Sequence, residues 1–69
     1  MERGIVKWYD EIKGYGFIQP DIGDKDLFVH QSNVDSIEKT LEKGERVEFE
    51  KVNGTKGPEA HKVRPIPPT

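Results

Sequence analysis

Cysteine is absent from these 69 residues, which removes disulfides and thiolate metal ligands together and fits a reducing compartment. Histidine is scarce as well. With only His30 and His61, a zinc site would need carboxylates at a recognisable spacing, and none stands out, so neither metal nor other cofactor is expected. No apolar run approaches the length of a membrane span, and the N-terminus has neither the basic nor the apolar region of a signal peptide; a cytoplasmic protein without membrane contact is expected. An excess of positive charge is missing too: Lys and Arg total 11 against 13 acidic residues, and a net charge of -2 argues against indiscriminate polyanion binding through bulk charge. Any attraction to an anion must be local. The length leaves room for one domain, and a core this small seldom supplies more than roughly 3–5 kcal/mol. Without disulfides or metal, closing a sheet into a barrel with no exposed edges is the economical solution.

Short β-rich runs punctuated by turn residues fill the chain. Gly4 to Tyr9 is rich in β-branched and aromatic types and ends at Asp10-Glu11, which predicts a first strand. Val6 and Trp8 share a parity there, yet Val6 suits a core; a bulge would turn Trp8 outward while Val6 stays inside. Tyr15 to Gln19 is the second strand, stopped by Pro20 and the turn Asp21-Ile22-Gly23-Asp24, and Leu27 to His30 is the third. Arg46 to Val52 alternates, with Val47 and Phe49 on one face and Glu48 and Glu50 on the other. Asn53-Gly54 signals a hairpin, with Thr55-Lys56-Gly57 lengthening its loop, and Pro58 to Arg64 is the last strand. Pro65 to Thr69 reads as a frayed tail, the domain spanning residues 1–65 and the tail residues 66–69.

Residues 31–44 admit two readings. Ser32 to Asp35 resembles a capping box, Val34, Ile37 and Leu41 fall at helical spacing, and Gly44 would cap a helix C-terminus. Alternatively, the segment is a long loop with one tight helical turn near Ser32, its apolar residues closing the end of a barrel. Five short strands with one longer connection after the third outline an all-β, five-stranded antiparallel Greek-key barrel of the OB type.

Strand parity then sorts the side chains by face. Tyr15 and Phe17 share one side of the second strand, and Phe28 and His30 share one side of the third, while Ile18, Leu27 and Val29 take the other. If the two strands are neighbours, four ring-bearing side chains collect where a one-sided sheet should be polar. Rimmed by Lys7 and Lys13, they form a platform on which flat ligands stack. Residues 1 to 30 carry four basic and six acidic side chains, and Glu11, Asp21, Asp24 and Asp26 sit around turns from which they can point away from the rings. Were nucleic acid the partner, stacking would carry much of the affinity and salt dependence would be shallow.

These residues resemble the bacterial cold shock proteins and the cold shock domain of Y-box proteins. Gly4-x-Val6-Lys7-Trp8-Tyr9, Lys13-Gly-Tyr-Gly-Phe-Ile18, Leu27-Phe-Val-His30, Thr40-Leu41-x-x-Gly44, Val47-x-Phe49-Glu50 and Lys56-Gly57-Pro58-x-Ala60 carry the likeness from residue 2 to about 64. The resemblance implies a cold shock domain that binds single-stranded RNA and DNA with low sequence selectivity, as an RNA chaperone and transcription antiterminator or regulator in a cold shock response. It implies a stacking surface of Trp8, Tyr15, Phe17, Phe28 and His30, with Lys7, Lys13 and Lys56 near phosphates and Tyr9 at the margin. Two places depart from the family: Gln31 stands where an aromatic often follows the histidine, and the following loop offers Ile37 or Glu38 instead of another aromatic. A monomer is expected, with a dimer left open.

His30 could act as an acid or base near neutral pH, but no nucleophile beside it, no paired carboxylates and no phosphate loop accompany it, so no enzyme is expected. An RNA-recognition motif begins with a similar signature, yet its final aromatic position here holds Pro20 and its two packing helices are missing. A protein-interaction barrel taking a proline-rich peptide, or an adaptor on ribosome or polymerase, are the alternatives from other classes.

Overall fold

The computed structural model describes residues 1–55 and 57–67. Five strands, β1 (Glu2–Asp10), β2 (Tyr15–Pro20), β3 (Leu27–His30), β4 (Arg46–Gly54) and β5 (Gly57–Pro65), close into a barrel in the order β1-β2-β3-β5-β4. Four of the pairings are antiparallel and the β3–β5 seam, through Phe28 and Glu59, is parallel. Parity requires this. Around a closed ring with an odd number of strands, alternation of direction must fail once, and it fails where the long connection after β3 has crossed the barrel end.

The core is aliphatic with one ring: Val6, Ile18, Leu27, Val29, Val34, Leu41, Val47, Phe49, Ala60 and Val63 are all buried. The bulge expected in β1 is present. Val6 pairs with Ile18 and Trp8 with Phe17, so Lys7 is the extra residue, Val6 is sealed in the core and Trp8 is turned to solvent. Gly16 lets the two strands approach at this bend, because a Cβ there would collide with the Trp8 carbonyl oxygen and Tyr9.

Residues 31–44 form a loop with a single 3-10 turn at Gln31–Asn33 and no α-helix. Val34 and Leu41 are buried but Ile37 is fully exposed, whereas a helix would have put all three on one face. Val34 is held by a parallel bridge to Val63, and the Asp35 amide donates to the Val63 carbonyl at 2.7 Å. These contacts to β5 replace the helical ladder. The capping box is also absent: His30 caps the turn, its ring accepting from the Ser32 amide.

Two boundaries differ from the sequence reading. The β4–β5 ladder continues through Asn53–Pro58 and Gly54–Gly57, so Asn53-Gly54 belongs to the ladder and not to the reversal. The expected fraying does not begin at Pro65, which pairs with Val47, and the Ile66 amide donates to the Arg46 carbonyl at 2.8 Å. Proline lacks a donor, but Ile66 has one and uses it.

Candidate nucleic-acid interface

The outward parity of β1, β2 and β3 assembles the rings. Trp8 lies opposite Phe17, Phe17 opposite Phe28, and Tyr15 opposite His30. Trp8–Tyr15, Tyr15–Phe28, Phe28–Phe17 and Phe17–Trp8 centroids are separated by 5.5, 5.8, 5.8 and 5.4 Å, so the four rings form a closed circuit. It is not one flat platform. Only Tyr15 and Phe28 approach parallel, at 30°, and the other planes meet at 51° to 74°. Edge-to-face contacts of this kind suit the ring quadrupoles and rigidify the cluster. They also leave several separately oriented ring faces instead of one plane. Trp8 is 39% exposed, while Tyr15, Phe17 and Phe28 are half-buried.

His30 is exposed at the edge of this circuit and is held by its own turn. The Ser32 amide donates to Nδ1 at 3.1 Å and Ser32 Oγ lies 2.8 Å from the same nitrogen. An accepting Nδ1 carries no proton, so the neutral ring keeps its N–H on Nε2, available to a ligand. Ser32 thus orients the ring from within the tight turn that the second sequence reading placed near it.

The lysines divide. Lys7 Nζ bonds Asp26 Oδ2 at 2.9 Å, so Asp26 does not point away from the ring face as expected but neutralises a cation at its rim. Lys13 is exposed at the tip of a turn organised by Asp10, whose Oδ1 accepts from the Ile12 and Lys13 amides at 2.9 Å each. Lys56 lies outside the described residues. Tyr9 belongs to the core margin more than to the circuit. Its ring packs against the buried cluster, its hydroxyl donates to the Lys39 carbonyl at 3.4 Å, and burial together with the nearby Glu11 pushes the phenol pKa up. At the two departures from the family pattern, Gln31 is exposed with its side chain against Gly14, and Ile37 projects freely.

Sequence reasoning missed one wall of the site. Phe17 and Phe28 share a recess with Thr55, Gly57, Pro58 and Glu59, contributed by the β4–β5 hairpin across the parallel seam. Only the motif around Pro58 pointed there, and nothing local in the chain tells which strand lies beside β3.

A profile of the 'Cold-shock' DNA-binding domain family matches residues 2–66. The chain belongs to the cold-shock domain family. Among similar proteins, the cold shock-like protein CspE of Escherichia coli (strain K12) is 55% identical over 62 residues, covering 88% of this chain and 90% of the relative. CspA of Bordetella pertussis is 49% identical over 65 residues, covering 93% and 97%. CspA of Stigmatella aurantiaca is 48% identical over 69 residues, covering 97% and 100%. A solved structure titled drosophila Unr CSD456 superposes with a TM-score of 0.81 over 97% of this chain and 27% of that one; at 24% identity, it supports the barrel alone. Cold-shock domain proteins bind nucleic acid and are not enzymes, which accords with the exposed ring face. Among the described residues no helix is long and apolar enough to cross a membrane.

Proposed function

We propose that this cold-shock domain binds single-stranded RNA and DNA with low sequence selectivity, and that it acts as a cytoplasmic RNA chaperone which destabilises RNA secondary structure. The closed circuit of Trp8, Tyr15, Phe17 and Phe28, solvent-facing and backed by an aliphatic core, carries the reading. Unpaired bases have free π-faces and stack on these rings and on His30; paired bases are already stacked and do not. Binding therefore shifts an RNA folding equilibrium toward open forms by its differential affinity for the two. Melting a hairpin that halts a polymerase would in turn give antitermination. The family resemblance assigns Lys13 and Lys56 to the phosphates, and Lys7 joins them as one half of an ion pair with Asp26. The test is a fluorophore-quencher RNA hairpin titrated with protein: opening at micromolar protein, lost on Phe17→Ala or Phe28→Ala with the fold retained, supports chaperone action. Single-strand binding without opening would leave a binder that is no chaperone.

A further inference from the structure

We infer that Glu59 makes one position on the ring face selective for guanine. The inference rests on the single-strand reading and adds to it a base preference at one place.

Four observations carry it. The parallel seam pairs Glu59 with Phe28, and neighbouring strands lie roughly 4.8 Å apart, so Glu59 is the lateral neighbour of a stacking ring. Ala60 is buried on the opposite parity, which turns Glu59 to the outer face, where it lines the recess shared with Phe17, Phe28 and Pro58. The side chain is held in place: His61 Nε2–H donates to Oε1 at 3.0 Å, and the carboxylate rests over Gly54, where a Cβ would collide with it. Finally, a carboxylate accepts and never donates, and each oxygen has two lone pairs, so the bond from His61 leaves capacity for two parallel N–H groups.

A base stacked on Phe28 with its edge toward the hairpin meets this acceptor. Guanine alone offers two adjacent donors on its Watson–Crick edge, N1–H and the N2 amino group. Thymine and uracil present one N–H between two carbonyls, and adenine and cytosine present an amino group beside a ring-nitrogen acceptor. Each of those edges sets a lone pair against the carboxylate. Bidentate side-chain–base pairs discriminate strongly, so guanine should bind about tenfold more tightly than the other bases at this position.

The experiment measures anisotropy of labelled heptathymidine and of the same strand with its central base replaced by guanine, adenine or inosine. Guanine should gain about tenfold. Adenine, an equally large stacking surface, should not share that gain, and inosine, which lacks the N2 amino group, should lose most of it. Glu59→Gln should erase the guanine advantage, read as the ratio of guanine-substituted to heptathymidine affinity for that same variant. Gly54→Ala retains the charge but displaces the carboxylate and should erase it too, so the test survives if either variant fails to fold. Equal gains for adenine and guanine, no gain for guanine, or an advantage that persists in a folded Glu59→Gln variant would overturn the inference. Failure of the folded wild type to bind heptathymidine at all would overturn the single-strand reading beneath it.

Discussion

On the outward side of β1, β2 and β3, Trp8, Tyr15, Phe17 and Phe28 pack ring against ring in view of solvent, whereas on the outward side of β4 and β5 Glu48 pairs with Arg64 at 3.0 Å and Glu50 with Lys62 at 3.6 Å. Both faces belong to one sheet with one core behind it. The charged face is what a half-buried antiparallel sheet ordinarily presents to water, and exposed cross-strand pairs of this kind contribute about 0–1 kcal/mol each. The ring face leaves apolar area uncovered that folding alone would have buried or replaced. Comparing them isolates the feature that needs a ligand to explain it.

The comparison breaks most visibly through the core. Phe49→Ala should cost about 3–5 kcal/mol, as much stability as a core this small supplies, and circular dichroism should show a largely unfolded chain. Phe28→Ala, an aromatic truncation on the outer face, should keep the spectrum and weaken oligothymidine binding by about 1–3 kcal/mol. If the two variants lose stability equally, the rings are core after all.

A smaller effect lies on the charged face. β5 bulges opposite Glu48 to Glu50, and Lys62 adopts φ 53°, a left-handed conformation that favours glycine. Lys62→Gly should stabilise the barrel by about 1 kcal/mol, read as a higher thermal midpoint, with oligonucleotide affinity unchanged. Removing Asp26 sharpens the contrast from the other side. Asp26→Asn frees Lys7, so affinity should rise and the slope of log K against log salt should steepen by about 0.7, the increment for one more phosphate contact on a single strand. An unchanged slope would mean that Lys7 does not face the backbone.

The least effect is expected at Asp21, where hydrogen bonds from Arg46 at 2.7 and 2.9 Å hold the carboxyl below its usual pKa. A depressed carboxylate contributes stability above its unfolded pKa, and that contribution is lost as pH falls through the folded value. Thermal midpoints measured from pH 7 down to pH 3 should therefore drop less steeply for Asp21→Asn than for the wild type.

Much of this was legible from local pattern. Period-two alternation placed Tyr15, Phe17, Phe28 and His30 on one face, and the conflict between Val6 and Trp8 announced the bulge, because both signals depend on near neighbours. What depended on distant partners was not. Val34, Ile37 and Leu41 mimic a helix, but the bridge from Val34 to Val63 decides the loop. Asp26 lies 19 residues from Lys7, and Glu59 meets Phe28 across a seam that no sequence period encodes.

The central claim is that the ring face stacks unpaired bases, and Trp8, the one tryptophan, reports on it directly. Its fluorescence should be followed during titration with heptathymidine and then with a duplex of equal length. The account predicts quenching by the single strand at concentrations where the duplex has no effect. Quenching by neither strand, with the protein shown to be folded, or equal quenching by both, would contradict it.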